Sequence, residues 1–438
     1  MKILSLNYMN ASLATMVRSL ELARATAARG HQVTLVFMHE RFRPPESFRT
    51  HLESLDAPGL DLRLPPRQPS AAVRPGAGPG AGPGAGPGSG PGAEPGTVTA
   101  ARPSALGLAR QAAASLRYLP RELALLRELR PDVVIGRPDQ ILSFPVACRL
   151  TGTPLVLDTD GPVEELDLYW GIRSRWFRAL DLARARSAGA LLHVSRVCGD
   201  LWRGKAIPED RLFLCPNGAD PEVFRPQSEE ARGAARRALG LDGGRVIAFS
   251  GNQRTWHGVG DLLAAAAPLL ARDPDLRILV IGQMETPAAL RLAEIGEDLV
   301  RDRIVFTGPV AYQEMPRWLD AADVAALPYP ALDLFHFSPM KMFETLAMGK
   351  VIVAPAQGQV AEFLEGLPSA VLYDPRRAGA LTDALARALA LPPGIGSAGR
   401  RLIEAGHSWA HRAAVVEAAC ARALARAGRS AAQARPRP

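Results

Sequence analysis

Lysine is almost missing from this 438-residue chain. Lys2, Lys205, Lys341 and Lys350 stand alone among 52 basic residues, and the others are arginine. That bias reads as GC-rich coding, so the abundance of arginine says little about function. Cysteine is scarce as well. Cys148, Cys198, Cys215 and Cys420 form no C-x-x-C pair, and their spacing fits neither a zinc site nor a disulfide framework. Scattered core thiols are the reading that remains. Long apolar runs are absent too. The longest, Leu262 to Ala271, falls far short of the ~18 residues of a membrane span. Met1 to Leu6 turns polar at Asn7, which leaves no signal-peptide core and makes a cytoplasmic protein the expectation.

What is present suits a soluble globular chain: 47% hydrophobic and 22% charged residues. At ~100–200 residues per domain, two or three domains are expected. The net charge of +8 is concentrated in the first half. It could draw an anionic partner such as phospholipid, lipid phosphate or nucleic acid, or be a solvated arginine-rich surface.

One segment, residues 65–103, is dominated by Pro, Gly and Ala and cannot bury enough apolar surface to offset the entropy of ordering. It is expected to loop out of a folded domain. Residues 427–438 are expected to be a frayed tail. Elsewhere short apolar stretches alternate with helical spacing. Lys2–Leu6, Val33–Phe37, Val133–Ile135, Leu155–Leu157, Ala190–Val194 and Leu212–Cys215 read as one set of strands. Val246–Ser250, Arg277–Ile281, Arg303–Phe306, Val324–Leu327, Val351–Ala354 and Ala370–Tyr373 read as a second set. Near-continuous apolar strands separated by helices imply parallel sheets covered on both faces. The expected architecture is α/β, with two doubly wound lobes, residues 1–225 and 226–426, facing a cleft. Ligands bind such sheets at the C-terminal ends of the strands.

Two stretches carry candidate chemistry. After the strand Val246–Ser250, Gly251 permits a sharp turn, and the loop to Gly258 brings Arg254 toward a helix N-terminus. That arrangement suits an anionic group such as phosphate. In Ser338-Pro339-Met340-Lys341-Met342-Phe343-Glu344, Ser338 is placed to cap a helix and Pro339 to sit in its first turn. Lys341 and Glu344, three apart, share a face. Lysine and helix N-terminus together suit a diphosphate, and the carboxylate suits a ribose diol. An exposed ion pair of little consequence would read the same way.

The second stretch, continued through Gly349-Lys350, resembles the donor helix of GT-B glycosyltransferases of the retaining family 4 (group 1) type. Pro216-Asn217-Gly218-Ala219-Asp220 with Phe224 and Pro226 resembles the interdomain segment of that family. Phe306-Thr307-Gly308 with Tyr312 to Leu319 resembles its base-binding edge, and Gly251 to Gly258 its phosphate loop. The resemblance implies two Rossmann-like domains and sugar transfer from a nucleotide-sugar donor to an acceptor hydroxyl, without metal or resident cofactor. It implies that Arg254 and Lys341 neutralise the diphosphate, that Glu344 holds the ribose, and that Gly251, His257, His336, Ser338, Pro339 and Met340 surround the donor. It departs from the family at three places. His336 stands where many members carry a glutamate eight positions before Glu344. Asn252 and His257 replace a basic pair in the phosphate loop. Asn7 to Ser12 lacks paired glycines.

In the first lobe, Asn10, Arg137, Asp160 and Glu164, or Glu165 in its place, follow strands and are the acceptor-side candidates; helix capping and surface charge are the rival reading. Trp170, Trp176 and Phe177 interleave with arginines between Tyr169 and Arg186, which suits a peripheral membrane contact, a nucleic acid or core packing. Nucleic acid is not an expected partner. The acceptor is open among glycan, lipid-linked and small molecules. A GT-B-like nucleotide-sugar epimerase, or a non-catalytic nucleotide-binding module with a degenerate site, is the alternative.

Overall fold

The structure is a computed structural model describing residues 1–8, 13–38, 46–65, 110, 113–137, 142–168, 175–241, 243–251, 257–282, 296 and 303–433. Beyond Pro65, the expected insertion lies outside the described residues.

Two parallel sheets carry the fold. The first orders its strands β3-β2-β1-β4-β5-β6-β7. They are β1 (Lys2–Asn7), β2 (Gln32–Phe37), β3 (Leu60–Arg63), β4 (Val133–Gly136), β5 (Leu155–Thr159), β6 (Ala190–His193) and β7 (Leu212–Leu214). The second orders β10-β9-β8-β11-β12-β13. Its strands are β8 (Val246–Ser250), β9 (Arg277–Ile281), β10 (Ile304–Phe306), β11 (Val324–Ala326), β12 (Val351–Pro355) and β13 (Ala370–Tyr373). Every pairing is parallel. In each sheet the order reverses beside the first strand, between β1 and β4 and between β8 and β11. Those two switch points are where a doubly wound sheet opens a crevice.

Side chains alternate across each strand, so each sheet feeds two apolar layers. In β1, Ile3 joins the layer under helices Leu13–Ala27 and Trp409–Gln433, while Leu4 and Leu6 join the layer under Leu119–Leu129 and Ser143–Thr151. In β8, Val246 and Ala248 face one layer, Ile247 and Phe249 the other. This two-sided burial is why the strands read as continuous apolar runs.

Several elements differ from the expectations. The spacing of Leu106 to Leu129 predicts one long helix kinked at Pro120; its described part is instead a 3₁₀ turn at Ser115–Tyr118 followed by a helix from Leu119, with Pro120 in its first turn. Residues 427–433, expected as tail, form the last turns of the helix Trp409–Gln433. That helix crosses back to the first lobe, where Trp409, Val416, Ala419, Cys420 and Ala423 enter its core. Gly189 permits the approach: a Cβ there would stand 2.6 Å from the Ala423 Cα. All four cysteines are free and buried.

Candidate active site

β8 ends at Ser250, and Gly251 follows with φ +121°, in the region that favours glycine. A Cβ at Gly251 would lie 3.3 Å from the Lys341 Nζ, so the turn after β8 and the helix Met340–Ala347 meet at this point. The Lys341 ammonium stands 4.3 Å from the Phe249 ring centroid and 5.3 Å from that of Tyr329. It is buried and has no hydrogen-bond partner among the described residues. Burial lowers its pKa to about 7, against the pull of the Glu344 charge. Cation–π contact offsets only part of the cost of a buried ammonium. An anion brought to this point would offset the rest.

Glu344, one turn on, is also buried. Burial raises its carboxyl to about 7, with Lys341 and the Tyr312 hydroxyl pulling the other way. Buried Glu21 of the first lobe adds its charge to that environment. Arg24 holds Glu21 at 2.8 Å and Asp220 of the interdomain segment at 2.6 Å. The Lys341–Glu344 pair is therefore not a solvated surface pair.

The start of the helix departs from the expected capping. Pro339 is the N-cap, with φ −66° and ψ 116°, and Met340 is the first helical residue. Among the described residues no side chain caps it. The Ser338 hydroxyl accepts instead from the Asn217 backbone N–H at 2.9 Å, and the Ser338 carbonyl from the Asn217 side-chain amide at 2.5 Å. Among the described residues, the leading N–H groups of the helix thus have no side-chain partner beside Lys341. Met340 packs into the first lobe's core, across the seam between the lobes. His257, before the helix Val259–Arg272, sets its ring edge-on to Tyr329 at 5.6 Å, so it shares with Lys341 the same aromatic wall.

His336 is buried, and its Nε2 pairs with the carboxylate of Glu165 in the first lobe. The acid that reaches across the seam is Glu165, not Glu164. Glu164 is held by Lys205 at 3.0 Å, and Lys205 also meets Asp181 at 3.3 Å. Arg137, expected to meet an anion, is buried and faces carboxylates of its own lobe: Asp158 at 2.9 Å, and Asp160. Asp160 is the partly exposed member of that group. His193 is buried, its Nδ1 2.9 Å from the Ser195 carbonyl, and burial lowers its pKa. Asn10 and Arg254 lie outside the described residues.

Gly251, His257, Lys341 and Glu344 therefore come together, with Ser338 and Pro339 at the head of the helix. Among the residues that the motifs did not single out, Arg18 is the most deeply engaged. It lies in the stretch Met16-Val17-Arg18-Ser19-Leu20, where one more arginine in an arginine-rich chain gives no signal of its own. Tyr8 and Ser143 both donate to buried Glu122, tying the end of β1 to the helix after β4, and burial raises the Glu122 carboxyl to about 7.

Two family descriptions match consecutive parts of the chain. "Glycosyl transferase 4-like domain" covers residues 15–218, and "Glycosyl transferases group 1" covers residues 244–390. The chain belongs to the GT-B glycosyltransferases of the family 4 type. Over 199 residues this family member is 34% identical to a D-inositol 3-phosphate glycosyltransferase of Corynebacterium urealyticum, a match covering 43% of this chain and 46% of that one. It is 26% identical over 208 residues to the alpha-D-kanosaminyltransferase of Streptomyces kanamyceticus, covering 47% and 52%. The chain thus spans about half the length of the curated relatives it matches. In fold it is similar to HepE of Anabaena, solved with UDP and glucose, with a TM-score of 0.64 at 15% identity over 95% of this chain and 98% of that one. The doubly wound pair of lobes is the GT-B architecture.

Proposed function

We propose that this chain transfers a sugar from a nucleotide-sugar donor to an acceptor hydroxyl with retention at the anomeric carbon. The observation that carries the reading is the Lys341 ammonium, buried without a hydrogen-bond partner among the described residues, beside Gly251 and an uncapped helix N-terminus. A donor diphosphate supplies the missing acceptors, and the helix N-terminus favours its charge. As the sugar leaves, negative charge grows on the diphosphate. Fixed positive groups aimed at it lower the barrier. Lys341 and the Met340–Ala347 N–H groups do this, with Arg254 completing the set. Glu344 accepts from the ribose hydroxyls. His257 and His336 close the donor pocket on either side, and Asp160 faces the acceptor. Residues 1–225 form the acceptor lobe and 226–426 the donor lobe, with the final helix crossing back. The Anabaena neighbour solved with UDP-glucose supports a nucleotide-sugar donor.

The test is calorimetric binding of UDP, GDP and ADP to wild type and to Glu344→Ala, in buffer without divalent metal. The expected outcome is preference for one nucleotide and at least a tenfold weaker affinity in the variant, the loss of one buried charged hydrogen-bonding group being worth roughly 1.5–3 kcal/mol. Wild type that binds none of the three overturns the donor site. An epimerase would instead convert the nucleotide sugar with no acceptor present and release no free nucleotide.

A further inference from the structure

We propose that Arg18 is a positioning residue for the donor site: it locks Asn217 and, through Asn217, the turn that begins the Met340–Ala347 helix. The proposal rests on the donor site placed at that helix.

The Arg18 side chain, in the first lobe's helix Leu13–Ala27, is 2% exposed. All of its nitrogens are engaged. Nε and Nη2 donate to Asp158 at 3.2 and 2.8 Å, and Nη2 also donates to the Cys215 carbonyl at 3.0 Å. Nη1 donates to the Pro216 carbonyl at 3.3 Å and to the Asn217 Oδ1 at 3.0 Å. A guanidinium only donates, so it admits the oxygen end of the Asn217 amide and no other. The amino end must then face the Ser338 carbonyl, which it meets at 2.5 Å. The Asn217 backbone N–H takes the Ser338 hydroxyl, removing that hydroxyl from the helix start. Arg412 holds the Asn217 carbonyl from the other side at 3.1 Å. One arginine thus fixes an amide orientation that leaves the helix N-terminus open beside Lys341.

The other end of the link matters equally. Burial would push the Asp158 carboxyl up, but Arg18 and Arg137 together bring it below its ordinary value. Arg137 goes on to Asp160, the partly exposed acceptor-side candidate. Acceptor-side and donor-side groups therefore share one carboxylate. Lysine cannot replace Arg18 here, because a single ammonium cannot span Asp158, two backbone carbonyls and Asn217.

The experiment compares wild type with Arg18→Lys, Asn217→Ala, Asn217→Asp and the Arg18→Lys/Asn217→Ala double variant. One readout is calorimetric affinity for whichever of UDP, GDP and ADP wild type binds. The other is amide hydrogen exchange over residues 336–342 without nucleotide. Each single variant should weaken binding about tenfold, and exchange should speed up over 336–342. The double variant should be no worse than Asn217→Ala, because both changes cut the same link. Asn217→Asp keeps an acceptor for Arg18 but sets oxygen against the Ser338 carbonyl, so it should match Asn217→Ala. Wild-type affinity in Arg18→Lys, or losses that add in the double variant, overturns the proposal. Should Arg18→Lys fail to fold, wild-type affinity in Asn217→Asp overturns it alone. If wild type binds no nucleotide, the donor reading fails by itself. Faster exchange over 336–342 in the variants then supports the link, and unchanged exchange overturns it.

Discussion

Lys341 and Glu344 sit one turn apart on a buried helix face, and each is pushed toward its neutral form. Burial lowers Lys341 to about 7, so it is charged below that pH and largely neutral above it. A diphosphate requires the charged form. Affinity for the nucleotide should therefore fall as pH rises from 7 to 9, by up to about tenfold per unit. A terminal phosphate, with its second pKa of ~6, is already ionised across this window; Glu344, raised to about 7, completes most of its own titration by pH 8, so the slope above pH 8 reports Lys341. Calorimetry at pH 8 in buffers of different ionisation enthalpy should show close to one proton taken up per nucleotide. Lys341→Arg should flatten the profile, because a guanidinium stays charged. A sloping profile retained in that variant would exclude Lys341 as its source. Lysine is legible at this position because it is so rare in the chain, and Glu344 because it shares its face. Arg18 hides for the opposite reason. One more arginine among 52 basic residues carries no signal until Asp158 and Asn217 are seen around it. The Ser338 hydroxyl likewise looks like a cap, and only the meeting of the two lobes diverts it to Asn217.

Among the elements, the strands are the most legible, since two-sided burial writes a continuous apolar run into each. β3 (Leu60–Arg63) escapes because it is a short edge strand with alternating polar residues, next to the Pro/Gly segment. The final helix is readable as a helix but not as to place. Its alanine-rich faces fit either lobe, and its position is decided by packing on Leu13–Ala27 and on β5 and β6. That packing depends on the close approach at Gly189. Gly189→Ala would put a methyl 2.7 Å from the Ala423 Cβ, with the backbone Cα nearer still. Overpacking of this kind costs about 1–3 kcal/mol. Urea unfolding should show that loss as a lower midpoint at unchanged slope, with nucleotide affinity within twofold of wild type. A midpoint equal to that of wild type would mean that the helix does not seat there in solution.

At the scale of the whole molecule, the described residues of the two lobes meet at Met340, in the first lobe's core, and through polar contacts. Ser338 meets Asn217, His336 meets Glu165, Gln359 reaches the Val194 carbonyl, and Arg196 reaches Glu362 at 3.4 Å. The helix Ser143–Thr151 packs against Ser115–Tyr118, Leu119–Leu129 and Arg175–Ser187. From this group Leu116, Val146, Leu150 and Trp176 stand exposed, the last two at 66% and 49%. Arg117, Arg121, Arg149, Arg175 and Arg178 are exposed on the same elements, where Glu128 is the one exposed acid among the described residues. Apolar side chains set among arginines suit the boundary of an anionic bilayer, where a few buried side chains and several phosphate contacts reinforce each other. No helix among the described residues is long and apolar enough to cross a membrane. The protein should sediment with phosphatidylglycerol-containing vesicles, far less with pure phosphatidylcholine, and release as salt is raised. Leu150→Ser with Trp176→Ser should weaken sedimentation at least tenfold and leave nucleotide affinity unchanged, because both residues lie in the first lobe outside the donor site. Equal sedimentation of that variant would move any lipid contact elsewhere on the molecule. Absence of vesicle binding in wild type would leave the arginine-rich face as a solvated surface and favour a soluble acceptor over a lipid-linked one.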